Sequence, residues 1–267
     1  MIIGIIQIGS IENKNENLRK ALELSERALE EGSEVIVLPE LFNFISSKSS
    51  KDDYLKNAET DSGITVSSML KLAKSYNALI VAGSITEIEN GKLYNTSYVL
   101  SSNGVLGKYR KIHLFRYKNI DETKIFNAGK DPLVVNYNDR KIGVTICFDL
   151  RFPEIFRLET IMGAEIIFNI SAFLEETGRK HWIPLLKARA IENQIFLIAA
   201  NQASTGIRRY YGHSCIIDPW GKILCKASNK EEIIVQKIDI NKIYDIRKNM
   251  PIRINKDLYK KIEEYLV

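Results

Sequence analysis

The strongest constraint on this chain is a set of apolar runs that are rich in β-branched residues and too short for helices. Glu34-Val35-Ile36-Val37-Leu38 is the clearest of them. A strand with one face in water alternates apolar and polar residues; this one does not, so both its faces need cover. Residues 2–8, 79–83, 141–146 and 195–200 read the same way. Between the runs lie segments of helical period. Leu18, Leu22, Ser25 and Leu29 recur at that spacing within residues 13–31, and Gly32 stops the helix. Further helices are predicted over 65–76, from the favoured first-turn residue Pro153, and over 180–193. The second half echoes the first: Gly163-Ala164-Glu165-Ile166-Ile167-Phe168 repeats the helix stop and strand of Gly32-Ser33-Glu34-Val35-Ile36-Val37. Two βαβ-like halves whose strands need cover on both faces predict an α/β fold, with two sheets packed together and helices outside.

Smaller signals fill in the rest. Glu89-Asn90-Gly91 and Asn103-Gly104 mark hairpin turns flanking a strand over 93–100. Strands near 213–218, 222–226 and 232–238 end the sheet region. Residues 112–129 carry no period, and a loop that long inside a compact domain tends to be functional. No Pro/Gly/Ser-rich linker or shift of composition divides the 267 residues, so a single domain over 1–267 is expected.

Composition excludes several classes of function. The net charge is +5, but the basic residues are scattered among 33 acidic ones. The densest cluster, Lys108-Tyr109-Arg110-Lys111, is too small for a nucleic-acid surface. No apolar run approaches the roughly 18 residues of a membrane span. The three cysteines are an odd number without metal-ligand spacing, as in a reducing compartment. Met1 leads directly into an apolar run with no basic segment or cleavage site, so no secretory signal and a cytoplasmic location are expected.

Two of the strands end in a reactive group, Glu40 after residues 35–39 and Cys147 after residues 142–146. Sites in α/β sheets gather beyond the carboxyl ends of strands. A cysteine there is a nucleophile if a base stands close enough to take its proton, and otherwise an inert buried thiol. Cys215 and Cys225 lie inside late strands without such neighbours and read as structural. His113, His181 and His213 are candidate bases, each equally explained as a structural histidine.

Several segments resemble the nitrilase superfamily of carbon-nitrogen hydrolases. Leu38-Pro39-Glu40-Leu41-Phe42 is similar to its base-glutamate segment. Tyr109-Arg110-Lys111-Ile112-His113-Leu114-Phe115 is similar to its lysine segment. Ile146-Cys147-Phe148-Asp149-Leu150-Arg151-Phe152-Pro153-Glu154 is similar to its nucleophile segment, in the form of the Nit and ω-amidase branch. Tyr94-Asn95-Thr96-Ser97, His181-Trp182 with residues 188–194, and Gly212-His213-Ser214 with Asp218-Pro219-Trp220-Gly221 match as well, so the resemblance spans nearly the whole chain in order.

The resemblance implies a four-layer αββα sandwich assembled as a homodimer, with contact along the helices after Pro153 and Trp182. Residues 240–267 would be a C-terminal arm anchored by Tyr244, Ile246, Ile254 and Leu258. It implies a triad of Glu40 as base, Lys111 as cation and Cys147 as nucleophile. Glu122 would be a second glutamate, with Asp121 its nearest rival. Lys111 and the backbone N–H of Phe148 are the candidate oxyanion donors, and no metal or organic cofactor is called for. Arg151 and Thr177 would hold a distal carboxylate of the substrate, although Arg151 could instead pair with Glu154 or Asp149. Asp149, Glu154, Arg189 and Glu192 read as supporting groups. The implied reaction is hydrolysis of a linear amide, best matched by the ω-amide of a short dicarboxylic or 2-oxo acid. An N-carbamoyl amidohydrolase or aliphatic amidase is the alternative; a nitrilase, or a non-catalytic interaction protein on this fold, fits less well. Arg116-Tyr117-Lys118-Asn119-Ile120-Asp121 is shorter than, and different from, the corresponding stretch of that branch, which leaves the substrate open.

Overall fold

A computed structural model describes residues 1–204, 207–252, 255, 257 and 260–261. The first half runs β1 (Ile2–Gln7), α1 (Lys14–Glu30), β2 (Val35–Val37), α2 (Lys51–Asn57), α3 (Ile64–Tyr76), β3 (Leu79–Val81), β4 (Ile85–Glu89), β5 (Lys92–Ser101) and β6 (Gly104–Arg110). A small hairpin, β7 (Arg116–Tyr117) and β8 (Ile120–Asp121), follows. The second half runs β9 (Val134–Tyr137), β10 (Arg140–Ile146), α4 (Pro153–Ile161), β11 (Ile166–Ser171), α5 (Glu175–Asn193), β12 (Phe196–Asn201), β13 (Cys215–Ile217), β14 (Ile223–Lys226), β15 (Glu232–Lys237) and α6 (Lys242–Asn249).

The helices begin and end where local chemistry dictates. Asn13 caps α1, its side-chain oxygen accepting from the Glu16 N–H at 3.2 Å. Asn77 and Gln194 end α3 and α5 in the left-handed conformation, and Pro153 opens α4. The predicted strands and helices are all present, with shifted ends. Helix α5 starts at Glu175, ahead of the expected 180, which puts Thr177 on its first turn. Helix α2 was not foreseen.

The repeat seen in the sequence is a repeat in space. β1-β2-β3 are parallel neighbours in one sheet and β10-β11-β12 in the other; each trio is extended by an antiparallel strand, β5 or β13. The last strand crosses over: β15 joins the first sheet, antiparallel to β1, rather than extending the second.

Period-two alternation distributes each strand between two cores. Ile3, Ile5, Val35, Val37, Leu79 and Val81 face Val144, Ile146, Phe168 and Ile170 of the other sheet. Their alternates Ile6, Ile36, Leu38 and Ile80 face Leu18, Ala28, Met69 and Ala73 of α1 and α3. Helices α4 and α5 cover the outside of the second sheet through Phe156, Trp182 and Leu186. This is the expected αββα sandwich. Both faces of the first sheet are buried, which is why its strands do not alternate in sequence.

Residues 240–249 lie on their own chain. Ile240 and Ile243 are buried with the inter-sheet core, and the Tyr244 hydroxyl donates to Glu165 and accepts from Arg140. Of the expected arm, Ile254 and Leu258 lie outside the described residues.

Candidate active site

The two reactive strand ends meet at one edge of the sandwich. Glu40 follows β2 in a tight turn, where Leu41 has φ 50°. Gly83 makes that turn possible: it has φ 44°, and a Cβ there would stand 2.1 Å from the Pro39 carbonyl oxygen. The Ser84 hydroxyl then accepts from the Leu41 N–H at 2.9 Å. Cys147 follows β10 with φ 46°, rare for a residue with a side chain, and opens a 3-10 turn over Cys147–Arg151. Such strain costs about 1–3 kcal/mol. One buried inner-face isoleucine or valine contributes roughly 1.5–3 kcal/mol, so the inter-sheet core holds the strained turn easily. Lys111 leaves the end of β6. Gly129 closes on it, donating to the Lys111 carbonyl at 2.8 Å, in a place where a Cβ would meet the Arg110 carbonyl oxygen at 2.1 Å.

Lys111 is the hub. Its ammonium, 1% exposed, donates to Glu40 Oε1 at 2.8 Å and to Glu122 Oε1 at 3.0 Å, with Glu122 Oε2 at 2.8 Å in the same ion pair. Glu40 also accepts from the Asn95 amide at 2.8 Å and, on Oε2, from the Ala172 N–H at 2.8 Å. Glu122, in the 3-10 turn Glu122–Lys124, accepts the Phe115 N–H at 2.7 Å. Every one of these carboxylate oxygens therefore has a donor, as a buried charge requires.

The electrostatics follow from burial and charge. Burial alone would pull the Lys111 pKa down, but Glu122, Glu40 and Cys147 together hold it well above its usual value. Burial, then Glu40, pushes Glu122 up against the pull of Lys111. Burial, then Glu40, pushes the Cys147 thiol well up, with Lys111 and the Ala172 N–H opposing. Burial and the neighbouring carboxylates thus favour the thiol over the thiolate, so attack calls for a base to take its proton.

Glu40, Lys111, Glu122, Cys147, Phe148, Arg151 and Thr177 all line one pocket of about 650 Å³ that opens to solvent. The Phe148 N–H lies in the first turn of its 3-10 helix, where backbone donors lack intrahelical acceptors. Arg151 pairs with neither Asp149 nor Glu154: its guanidinium lies over the rings of Phe173 and Phe148 and meets His181 Nδ1 at 3.2 Å. Asp121 lies outside the pocket lining and caps the turn that carries Glu122. None of the three histidines lines the pocket. His113 holds Asp149 at 2.7 Å and stacks on Phe152, His181 meets Arg151, and His213 contacts the Tyr211 carbonyl. Asp149 itself accepts from the Tyr109 hydroxyl and the Ile146 N–H, bracing the turn that carries Cys147.

Sequence reasoning missed other walls of the pocket: Tyr54, Arg208 and Tyr210. Ser50, the N-cap of α2, was the available signal for Tyr54; the other two sit in a loop without one. Among the described residues, Asp61, Glu87 and Glu89 bring carboxylates together as a metal site would. Lys108 and Arg110 already bond them, so the cluster reads as an ion-pair network.

Comparison with known proteins identifies the family. A family model described as carbon-nitrogen hydrolase matches residues 2–248. A deaminated glutathione amidase of Dictyostelium discoideum is 39% identical, covering 96% of this chain and 94% of its own length. The omega-amidase NIT2 of Mus musculus is 34% identical, covering 96% of each. The crystal structure of Saccharomyces cerevisiae Nit3, described as a member of branch 10 of the nitrilase superfamily, superposes with a TM-score of 0.88 at 32% identity over 96% of each chain.

Proposed function

The chain belongs to the carbon-nitrogen hydrolase family and hydrolyses amide C–N bonds, and from that premise we propose that Cys147, Glu40, Lys111 and Glu122 carry the reaction on the ω-amide of a short dicarboxylic or 2-oxo acid. The observation that carries the reading is the buried Lys111 ammonium, bonded to both carboxylates in the pocket that holds the Cys147 thiol. As Cys147 Sγ attacks the amide carbon, Glu40 takes the thiol proton, and the oxygen becomes an oxyanion held by Lys111 and the Phe148 N–H. Glu40 passes the proton to the nitrogen, the C–N bond breaks, and ammonia leaves a thioester on Cys147. Glu40 then deprotonates a water that attacks the thioester, which frees the acid and restores the thiol. Glu122 keeps Lys111 charged and aimed.

Arg151 and Thr177 hold the distal carboxylate. The support is their place on the pocket wall and the suitability of an arginine fork for a carboxylate, together with the names of the relatives, one an omega-amidase. The test is a panel of amides assayed for ammonia. Monoamides of four- and five-carbon dicarboxylic acids should turn over faster than uncharged amides of equal length. A Cys147→Ala variant releasing ammonia at the parent rate would overturn the mechanism.

The same reading includes a homodimer and a cytoplasmic location. Leu158, Ile161, Met162, Ile191 and Trp220 are 39–62% exposed on α4, α5 and the turn beside them, where a second copy would cover them. Light scattering should give twice the 30.5 kDa of the chain; a monomer at micromolar concentration would contradict it. No helix among the described residues is long and apolar enough to cross a membrane.

A further inference from the structure

The buried carboxylate of Asp149 collects more donors than its own turn requires. Asp149 stands two residues after Cys147 in the 3-10 turn Cys147–Arg151. Capping that turn takes one bond, from the Ile146 N–H to Asp149 Oδ2 at 2.9 Å. Three further donors come from a distant segment of the chain. The Tyr109 hydroxyl donates to Oδ2 at 2.7 Å, and the backbone N–H and Nδ1 of His113 reach Oδ1 at 3.0 and 2.7 Å. A carboxylate offers about four lone-pair sites, so these donors use all of them.

Tyr109 and His113 stand two residues before and two residues after Lys111. Both therefore grip Asp149 from the lysine's own segment. Phe148, whose N–H is the other oxyanion donor of the proposed mechanism, lies between Cys147 and Asp149. Burial, then Asp149, holds the Tyr109 hydroxyl pKa well above its usual value, which keeps the proton on the oxygen that donates. An imidazole nitrogen facing a carboxylate oxygen carries its proton there, so Nδ1–H is the His113 donor. The same ring stacks on Phe152, the residue that ends the turn, with 3.6 Å between centroids and 6° between planes. Neither Tyr109 nor His113 lines the pocket.

We propose that Tyr109 and His113 are positioning residues: acting through Asp149, they lock the Lys111 segment to the Cys147 turn and fix the Lys111 ammonium and the Phe148 N–H relative to each other. This rests on the amidase reading of the site. The oxyanion exists in the transition state and not in the bound amide. Misplaced donors therefore slow the chemical step and leave substrate binding nearly unchanged.

The experiment measures kcat and KM for glutaramate in Tyr109→Phe, His113→Phe and His113→Asn, with the folded fraction at the assay temperature taken from thermal unfolding. His113→Phe keeps a ring against Phe152 and loses the donor. His113→Asn loses the ring and sets an amide N–H near the place of Nδ1. Each phenylalanine variant should lower kcat per folded enzyme by roughly 10–100-fold, with KM within about threefold of the parent. His113→Asn should restore kcat to within about fivefold of the parent although the stack is gone. Tyr109→Phe removes a single oxygen, so it reads the clamp even if His113→Phe does not fold. A kcat within about threefold of the parent in Tyr109→Phe or in folded His113→Phe overturns the inference. So does His113→Asn as slow as His113→Phe, or a loss that falls on KM. A parent enzyme that releases no ammonia from any ω-amide would instead remove the amidase reading on which the inference stands.

Discussion

Replacing Lys111 with methionine separates what this ammonium does for stability from what it does for chemistry. The side chain is 1% exposed and is bonded by Glu40 and Glu122, so the variant leaves two buried carboxylates facing an apolar group. Removing one partner of a buried ion pair costs about 3–5 kcal/mol. With an unfolding entropy of about 2.1 cal/mol/K per residue over a chain this long, Tm should fall by about 5–9 °C near neutral pH. The loss should depend on pH in a definite direction. A carboxyl whose folded pKa is raised above its unfolded value costs stability once the unfolded state ionises. The penalty is absent below the unfolded value of about 4.3, grows as pH rises from there, and is full above the folded pKa. Glu122 is already raised in the parent by burial, then Glu40, and losing Lys111 raises it further. Lys111→Met should therefore unfold nearer the parent temperature at pH 5 than at pH 8. Adding Glu122→Gln should recover much of the lost Tm, because one of the two facing charges is gone. Activity should follow a different course: the missing oxyanion donor lowers kcat by ~10²–10³, and the second substitution does not restore it. Calorimetry across pH and an ammonia assay read the two effects separately. A Lys111→Met protein that unfolds within about 1 °C of the parent at every pH, or a double variant that regains turnover, would refute the reasoning.

Other expectations follow from the same geometry. Cys147→Ala should abolish turnover and the acyl mass adduct seen by mass spectrometry, with the fold intact; Glu40→Gln should be nearly as damaging, and the two losses will not add. Cys215→Ala and Cys225→Ala should keep most activity, since Cys215 is buried in the inter-sheet core, Cys225 is packed against it, and neither lines the pocket. Arg151→Gln should raise KM for ω-amides of dicarboxylic acids by roughly 10–100-fold, the value of a charged hydrogen bond, and change KM for uncharged amides far less. Glu159→Leu should stabilise the protein by about 1–3 kcal/mol at pH 8 and by less at pH 5. The reason is that burial, then Asp149, raises the Glu159 pKa well above the usual range, while neither of its oxygens is in a well-formed hydrogen bond. A gain independent of pH, measured by thermal unfolding, would contradict that account of Glu159.

Local pattern made most of this legible. The unbroken runs 2–8 and 34–38 announced strands buried on both faces, and the echo of residues 32–37 in 163–168 announced two like halves. The ends of the runs, Pro39-Glu40 and Ile146-Cys147, pointed to the site because backbone hydrogen bonding stops there and side chains turn free. Other features depend on contacts between segments far apart in the chain, and no local period records those. β15 reads like any late strand, yet it crosses to the first sheet because β1 presents an open edge there. Arg208 and Tyr210 reach the pocket only through folding that sets them against residues 46–54. Glu122 lies in an aperiodic loop, where nothing but likeness to a family distinguished it from Asp121.

Glu159 shows a third kind of signal, a residue visible as a violation of its surroundings. On α4 the buried positions are Ile155, Phe156 and Glu159, so helical spacing puts a carboxyl where the pattern asks for an apolar side chain. Gly143 on the neighbouring strand makes room for it: a Cβ there would lie 2.3 Å from Glu159 Oε2. Cys147 follows that strand, β10, and Asp149, which braces the turn there, is the charge that acts on Glu159. A broken rule beside a strained nucleophile is where functional constraint, rather than stability, is expected to have chosen the residue. The pH profile of kcat/KM in Glu159→Gln tests this directly. If the carboxyl tunes the Asp149 brace, the profile shifts while the fold holds; a profile identical to the parent's leaves Glu159 as nothing more than a cost to stability.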